Sequence, residues 1–187
     1  PGYPESIRGM DQYDKLYADA KLWLNKGWID YFAPQLYWPI SPAKQSYTAL
    51  LKWWETENTM KRHLWPGLNT VGKRTPEYVT EILNQVEASR ELLPKDRQGV
   101  IHWSLAGLTK NPAMTAALTD GPYTVEALVP RTPWLNANPL LKPTMLVTPQ
   151  GNGLFLKWQH QQIDQVTKWV LYLNYGGQWE YKIYTPE

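Results

Sequence analysis

Hydrophobic residues in the first 120 positions of the chain follow two spacings, one typical of helices and one typical of strands. Apolar positions three and four residues apart predict amphipathic helices over 10–24, 44–58 and about 75–93, and a short helix over 112–118. Apolar, β-favouring runs between them predict strands over 29–37, 63–70 and 99–105. This alternation is typical of βαβ units, a parallel sheet and right-handed crossovers.

The same pattern assigns the buried faces and the ends of the helices. We expect the first helix to bury Tyr13, Leu16, Tyr17, Ala20 and Leu24, and the second to bury Tyr47, Leu50, Leu51 and Trp54. Gly27 is suited to a left-handed cap after the first helix. Thr75 is a good N-cap for the third helix, with Pro76 at its first position.

The hydrophobic spacing changes to two after about residue 129. A proline-rich connector over 130–143 leads into four short apolar and polar alternations separated by turn signals such as Gly176-Gly177. This pattern is typical of a β-sandwich, but about 45 residues are too few for a domain of about 100. We therefore expect an α/β part over 1–129, a linker over 130–143 and an incomplete sandwich over 144–187.

Composition narrows the classes of function. The 11 Trp and 12 Tyr residues outnumber 2 Phe, and rings with a polar group suit glycan clefts, although a Trp-rich core with a domain interface is the alternative. A net charge of +2, with scattered basic residues, gives little support for a nucleic-acid partner. There is no cysteine and no run of roughly 18 apolar residues. Because the chain begins with Pro1, we expect an excerpt of a longer protein.

Polar and aromatic side chains close the first predicted strand. If Phe32, Pro34 and Leu36 pack against helices, Gln35 and Tyr37 point the other way. In a closed parallel barrel that direction is the interior, and functional sites lie at the carboxyl ends of the strands. We therefore expect both groups to project into one cavity and bind sugar hydroxyls. The alternative is a polar layer that is satisfied inside the barrel.

Three further residues complete the predicted substrate-binding set. Trp38 follows the same strand and is expected to stack on a sugar ring at the rim. Asn69 closes the second strand, where a turn or capping role is the alternative. Trp103 lies on the third strand with parity opposite to His102, and the sequence does not decide which of the two faces inward. The predicted substrate-binding residues are Gln35, Tyr37, Trp38, Asn69 and Trp103.

Catalytic groups are not found in the sequence. Glycoside hydrolysis generally needs two carboxylates, and the three predicted strands carry none at their carboxyl ends. Five helical carboxylates are predicted to face solvent: Glu55, Glu57, Glu81, Glu87 and Glu91. Because no histidine has metal-ligand spacing, we predict no metal and no cofactor. The catalytic carboxylates of a hydrolase would then lie upstream of this chain.

Five motifs carry a family resemblance over about residues 9–136. They are DQYDKLYAD (11–19), GWIDYFAPQLYWPI (27–40), LLKWW (50–54), HLWPGL (63–68) and LVPRTPWL (128–135). Together they resemble the glycosyl hydrolase-like 10 family of bacterial (β/α)8-barrel proteins, and the last segment of the chain resembles a fibronectin type III module. The resemblance implies barrel strands six to eight with their helices, followed by the start of a sandwich.

The resemblance also implies a function. The family is associated with cleavage of bacterial cell-envelope glycan, including peptidoglycan stripped of its peptides, in exported or lipid-anchored proteins. It implies a polysaccharide or oligosaccharide substrate, an extracytoplasmic location and envelope association through an N-terminal region. The family's acidic motif after the fourth strand has no counterpart here, so we expect no activity from this segment alone. The alternatives are a non-catalytic glycan-binding or scaffold protein and a purely structural α/β domain.

Overall fold

A computed structural model of the protein describes residues 4–41, 44–135 and 140–186. The chain divides into two compact units, Pro1–Thr132 and Pro133–Glu187. The first unit mixes helices with short strands, as the α/β prediction requires, and the second is built from strands. The predicted linker over 130–143 includes residues 136–139, which lie outside the described residues.

The first unit alternates helices and strands along the chain. The helices are α1 (Gln12–Leu16), α2 (Ala20–Asn25), α3 (Tyr47–Glu57), α4 (Pro76–Leu92), α5 (Leu105–Thr109) and α6 (Pro112–Asp120). The strands are β1 (Tyr31–Phe32), β2 (His63–Leu64), β3 (Gly67–Asn69) and β4 (Ile101–Trp103). None of the helices within the described ranges has the length and apolar character needed to cross a membrane.

The single helix predicted over 10–24 is wrong. Tyr17 adopts a left-handed backbone with φ 54° and ends α1, and the Asp19 side chain then accepts a hydrogen bond from the Leu22 N–H (2.9 Å) and starts α2. Of the predicted apolar face Leu24 is buried, whereas Tyr17 is 91% exposed. Tyr13 and Leu16 are also exposed, at 43% and 60%. Asp11 caps α1 and Asp19 caps α2. These two caps, and not the hydrophobic spacing, determine where the helices begin.

The helices predicted over 44–58 and from Thr75 are confirmed. All four predicted core residues of α3 are buried. Thr75 caps α4 by accepting a hydrogen bond from the Tyr78 N–H, Pro76 is the first helical residue, and the helix ends at Leu92, before Pro94. Both helices carry strong local end signals, so their bounds do not depend on distant contacts. The sequence pattern missed α5.

The strands of this unit pair in parallel, as predicted, but they are shorter than predicted. β1 pairs with β2 in the register Phe32↔Leu64, and the same offset returns at an isolated bridge between Gln35 and Gly67. β3 pairs with β4 in the register Gly67↔Ile101. Pro34 and Pro66 each lack a backbone N–H, so regular pairing is interrupted at both positions.

The core of the first unit lies between the strands and the helices. Leu36, Leu64 and Leu68 are buried on the helix side of the strands. The helices complete this core with Tyr47, Leu50, Leu51, Trp54, Ile82, Val86, Met114 and Leu118. Each named sheet holds two strands, and a closed (β/α)8 barrel stays a prediction.

The second unit consists of two antiparallel hairpins. β5 (Thr144–Gln150) pairs with β6 (Gly153–Gln159), and β7 (Trp169–Tyr175) pairs with β8 (Gln178–Tyr184). The turns use Gly151, Gly176 and Gly177, all at positive φ, where glycine is favoured. These hairpins provide the four predicted strands, and their side chains are half-buried or exposed throughout the described part of the unit. The fibronectin type III assignment stays a prediction.

Candidate functional site

The strands of the first unit present one face away from the helices, here called the open face. The registers Gln35↔Gly67, Gly67↔Ile101 and Asn69↔Trp103 place these residues on the same side of neighbouring strands. Residues of the opposite parity, such as Leu36 (2% exposed), lie beneath helices. Trp103 is 58% exposed. The predicted inward parity of the first strand therefore corresponds to the open face.

Two glycines allow aromatic rings to lie flat on the open face. A Cβ atom at Gly67 would lie 3.3 Å from Cε1 of Tyr37, and one at Gly99 would lie 2.6 Å from Cδ1 of Trp65. The first contact places the Tyr37 ring over β3, on the side of Asn69. The second places the Trp65 indole over the segment that leads into β4. Neither ring position leaves room for a larger residue beneath it.

An aromatic stack covers the end of the open face where the strands begin. The rings of Tyr31 and Trp65 stack at 4.9 Å between centroids, and those of His63 and Trp65 stack at 5.1 Å. His63 is buried, and burial lowers the pKa of its imidazole. These rings are not among the predicted substrate-binding residues. Alternate residues of a strand face the same side. Counting back in steps of two from Gln35 leads to Tyr31, and the same counting along 63–69 leads to His63 and Trp65.

Gln35 and Trp38 border a cavity of about 560 Å3 beside β1. Its walls also include Phe32, Leu50 and Trp53. Tyr37 does not border this cavity, because its ring lies over Gly67 instead. We expected the amide and the phenol to share one cavity. Gln35 instead borders this cavity on the helix side of β1, whereas Tyr37 lies over Gly67 on the open face.

Tyr37 is half-buried, and burial raises the pKa of its phenol. The hydroxyl is therefore protonated at neutral pH and can both donate and accept a hydrogen bond. Such a group is suited to a sugar hydroxyl, which has the same two capacities.

Asn69 serves a turn as well as the open face. Its Oδ1 accepts a hydrogen bond from the Val71 N–H (3.1 Å), and its backbone oxygen accepts one from the Tyr78 hydroxyl (2.6 Å). Asn69 therefore has the turn role that the sequence analysis gave as the alternative. The hydrogen bond to Oδ1 fixes the orientation of the carboxamide. The amide NH2 group is the part of Asn69 that can donate to a ligand.

The structure resolves the orientation of the third strand. His102 lies on the side opposite to Trp103, with its Nε2 2.7 Å from the hydroxyl of Tyr123. Burial lowers the pKa of His102, and burial also raises the pKa of Tyr123 to about 12. Both groups are therefore neutral at pH 7. Trp103 thus belongs to the open face, and His102 belongs to the packing behind it.

Thr70 does not join the site, although it follows Asn69 directly. It is buried, its N–H donates to the Trp103 oxygen (2.8 Å) and its hydroxyl donates to the Ser104 oxygen (3.3 Å). The peptide bond between Trp103 and Ser104 is cis. The two hydrogen bonds of Thr70 attach the end of β3 to the end of β4, which keeps Asn69 and Trp103 side by side.

The open-face positions on the paired strands carry no carboxylate. Tyr31, Ala33, Gln35, Tyr37, His63, Trp65, Gly67, Asn69, Ile101 and Trp103 occupy these positions, all of them within the described ranges. Nor do the described residues include a group of three metal-ligating side chains. The open face therefore offers aromatic rings, amides and a phenol for binding.

The prediction that five helical carboxylates face solvent is wrong for three of them. Glu55 pairs with Arg97 at 2.8 Å, and Glu57 pairs with Lys21 at 2.7 Å. Glu81 accepts a hydrogen bond from the Ile40 N–H at 2.8 Å. Each of these partners is distant in sequence, so helical spacing alone could not reveal it. Glu87 and Glu91 are exposed.

The fold and the open face define an α/β protein built from parallel βα units, with aromatic rings and amides on the face away from the helices. Residues 4–80 match the sequence profile of the family described as glycosyl hydrolase-like 10. Over these residues the chain therefore resembles the glycosyl hydrolase-like 10 family, as its motifs predicted.

Two curated relatives are named as glycosyl hydrolases. Glycosyl hydrolase YngK of Bacillus subtilis strain 168 is 34% identical over 172 residues, which are 88% of this chain and 33% of that protein. Glycosyl hydrolase DigH of Escherichia coli strain K12 is 49% identical over 47 residues, which are 25% of this chain and 11% of that protein. The chain thus spans about a third of the length of YngK.

Proposed function

We propose that the full-length protein is a glycoside hydrolase acting on bacterial cell-envelope glycan of the peptidoglycan type, and that this chain supplies part of its substrate cleft. The observation that carries the proposal is the open face, where Asn69 and Trp103 end the paired strands β3 and β4 and Tyr37, which follows β1, lies over Gly67 of β3. A phenol, an amide and an indole there offer hydrogen bonds and an apolar ring surface together. A pyranose ring presents the matching combination of hydroxyl groups and C–H faces.

The parallel strands support a barrel as the setting of this cleft. β1, β2, β3 and β4 run in one direction, and the helices pack on one side of them. In a (β/α)8 barrel this arrangement places the open face inside and groups the carboxyl ends of all strands at one mouth. We propose that the chain forms the last three βα units of such a barrel, followed by a fibronectin type III-like sandwich.

The catalytic carboxylates are proposed to come from elsewhere in the full-length protein. Hydrolysis of a glycosidic bond uses two carboxyl groups about 5–10 Å apart, and the open face of this chain supplies none. This chain would then bind and orient the glycan. We further propose an extracytoplasmic location with envelope association through an N-terminal region, on the strength of the family resemblance alone.

The test uses two substitutions in the full-length protein. Tyr37→Phe removes one hydroxyl and Gln35→Ala removes one amide, and each lost hydrogen bond to a sugar should lower kcat/KM about tenfold or more. Turnover is measured on oligosaccharides prepared from peptidoglycan, and circular dichroism checks that the variants are folded. Tyr17→Phe is the matched control, because Tyr17 is 91% exposed and lies outside the open face. Kinetics equal to those of Tyr17→Phe would refute the proposed role of the open face.

The alternative function is glycan binding without hydrolysis, as in an envelope scaffold. It is favoured by the absence of carboxylates from the described open-face positions. The two functions differ in a single measurement on the full-length protein. A scaffold binds the oligosaccharide and leaves its length unchanged, whereas a hydrolase shortens it.

A further inference from the structure

The segment Trp38-Pro39-Ile40 after β1 is held by an unusually complete set of hydrogen bonds. On the side of α3, the Tyr47 N–H donates to the Pro39 oxygen (3.0 Å) and the Ser46 hydroxyl donates to the Ile40 oxygen (2.8 Å). Both contacts come from the first turn and the cap of a well-ordered helix. They fix the end of the segment that enters α3.

Two side chains of α4 hold both ends of the same segment. Gln85 Nε2 donates to the Trp38 oxygen (3.1 Å), and Glu81 Oε1 accepts from the Ile40 N–H (2.8 Å). The two side chains also contact each other, because Gln85 Nε2 donates to Glu81 Oε1 at 2.9 Å. Gln85 is only 3% exposed. Removal of a buried amide that makes these bonds is costly, since it leaves the Trp38 oxygen without this donor.

We propose that Gln85 and Glu81 are positioning residues that hold the indole of Trp38 as a stacking surface for one pyranose ring of the substrate. This inference rests on the proposed glycan-binding function. The Trp38 side chain is partly exposed and borders the same cavity as Gln35. Its backbone is fixed from α4, and its ring is left to face the cavity. Gln85 and Glu81 themselves do not touch the substrate.

A fixed indole lowers the entropy that is lost when a sugar stacks on it. We call Gln85 and Glu81 together the clamp. If the clamp is removed, the substrate itself must order the Trp38 ring, so binding weakens while the chemical step is unaffected. Loss of binding that is equal in the ground and transition states raises KM and leaves kcat unchanged. The clamp therefore predicts a particular kinetic signature, which loss of folded protein would not produce.

The experiment uses four variants of the full-length protein on peptidoglycan-derived oligosaccharides. Gln85→Met removes the donor to Trp38, and Glu81→Met removes the acceptor for Ile40; each should raise KM about tenfold with kcat within about twofold. Glu81→Gln keeps an acceptor oxygen, so its KM should stay close to that of the wild type. Glu91→Met, on an exposed position of the same helix, is the matched control and should leave KM unchanged.

A double-mutant cycle separates positioning from general stability. Trp38→Ala should raise KM, and adding Gln85→Met to it should raise KM no further, because the clamp then has no ring to hold. If Trp38→Ala raises KM while Gln85→Met alone does not, or if the two effects multiply, the clamp is refuted and the glycan site stands. If Trp38→Ala leaves KM unchanged, Trp38 is not a stacking surface and the clamp proposal fails with it.

Discussion

His102 and Tyr123 show how single residues behind the open face respond to their surroundings. The two side chains form a hydrogen bond of 2.7 Å on the helix side of β4. Burial lowers the pKa of His102, so the folded protein favours the neutral imidazole. His63 follows the same rule beneath Trp65. His102 packs behind the open face, whereas His63 belongs to the aromatic stack on it.

The lowered pKa of His102 predicts a loss of stability in acid. The unfolded chain takes up a proton on this residue near its ordinary pKa of about 6.5, and the folded protein does so at a lower pH. The stability contributed by neutral His102 is therefore fully present above about pH 6.5 and is lost as the pH falls towards the folded pKa. His102→Gln should flatten the fall in the free energy of unfolding between about pH 7 and pH 5, measured by urea denaturation of the full-length protein. Equal slopes for variant and wild type would contradict this account.

The elements of the first unit differ in how far the sequence determines them. α3 and α4 were predictable because their caps, prolines and apolar faces are local signals. The break at Tyr17 was not, since Asp19 can cap a helix or continue one, and only the folded chain decides. The parity of Gln35 and Tyr37 followed from the strand pattern. The side occupied by Trp103 required the register with Asn69, which is a long-range property of the sheet.

Close packing between β2 and the segment before β4 makes a prediction at the scale of elements. Gly99→Ala would place a methyl group 2.6 Å from Cδ1 of Trp65, so the indole must shift out of its stack with Tyr31. Overpacking of this kind typically costs about 1–3 kcal/mol. We expect that loss in the free energy of unfolding from chemical denaturation of the full-length protein.

Gly153→Ala is the control for this change. The nearest atom to a Cβ at Gly153 is 3.8 Å away, so the added methyl group meets no obstacle. A Gly99→Ala variant as stable as this control would show that the indole is not held against β4.

At the scale of the whole molecule, the chain supplies a face and the full-length protein must supply the rest of a site. The motifs within residues 11–68 predicted the family resemblance, and the match of residues 4–80 to the family profile confirms that resemblance. Barrel closure and the catalytic carboxylates could not be derived, because both depend on strands that this chain does not contain under the proposed assignment. The chain spans about a third of the length of YngK, so the activity of the whole protein stays a proposal.

The most direct test is a crystal structure of the full-length protein bound to an oligosaccharide from peptidoglycan. The account predicts a pyranose ring against the open face, with its hydroxyl groups within hydrogen-bond distance of Tyr37 or Asn69 and a ring face on the indole of Trp103 or Trp38. It would be contradicted by a glycan bound elsewhere while these side chains are covered by another segment of the protein.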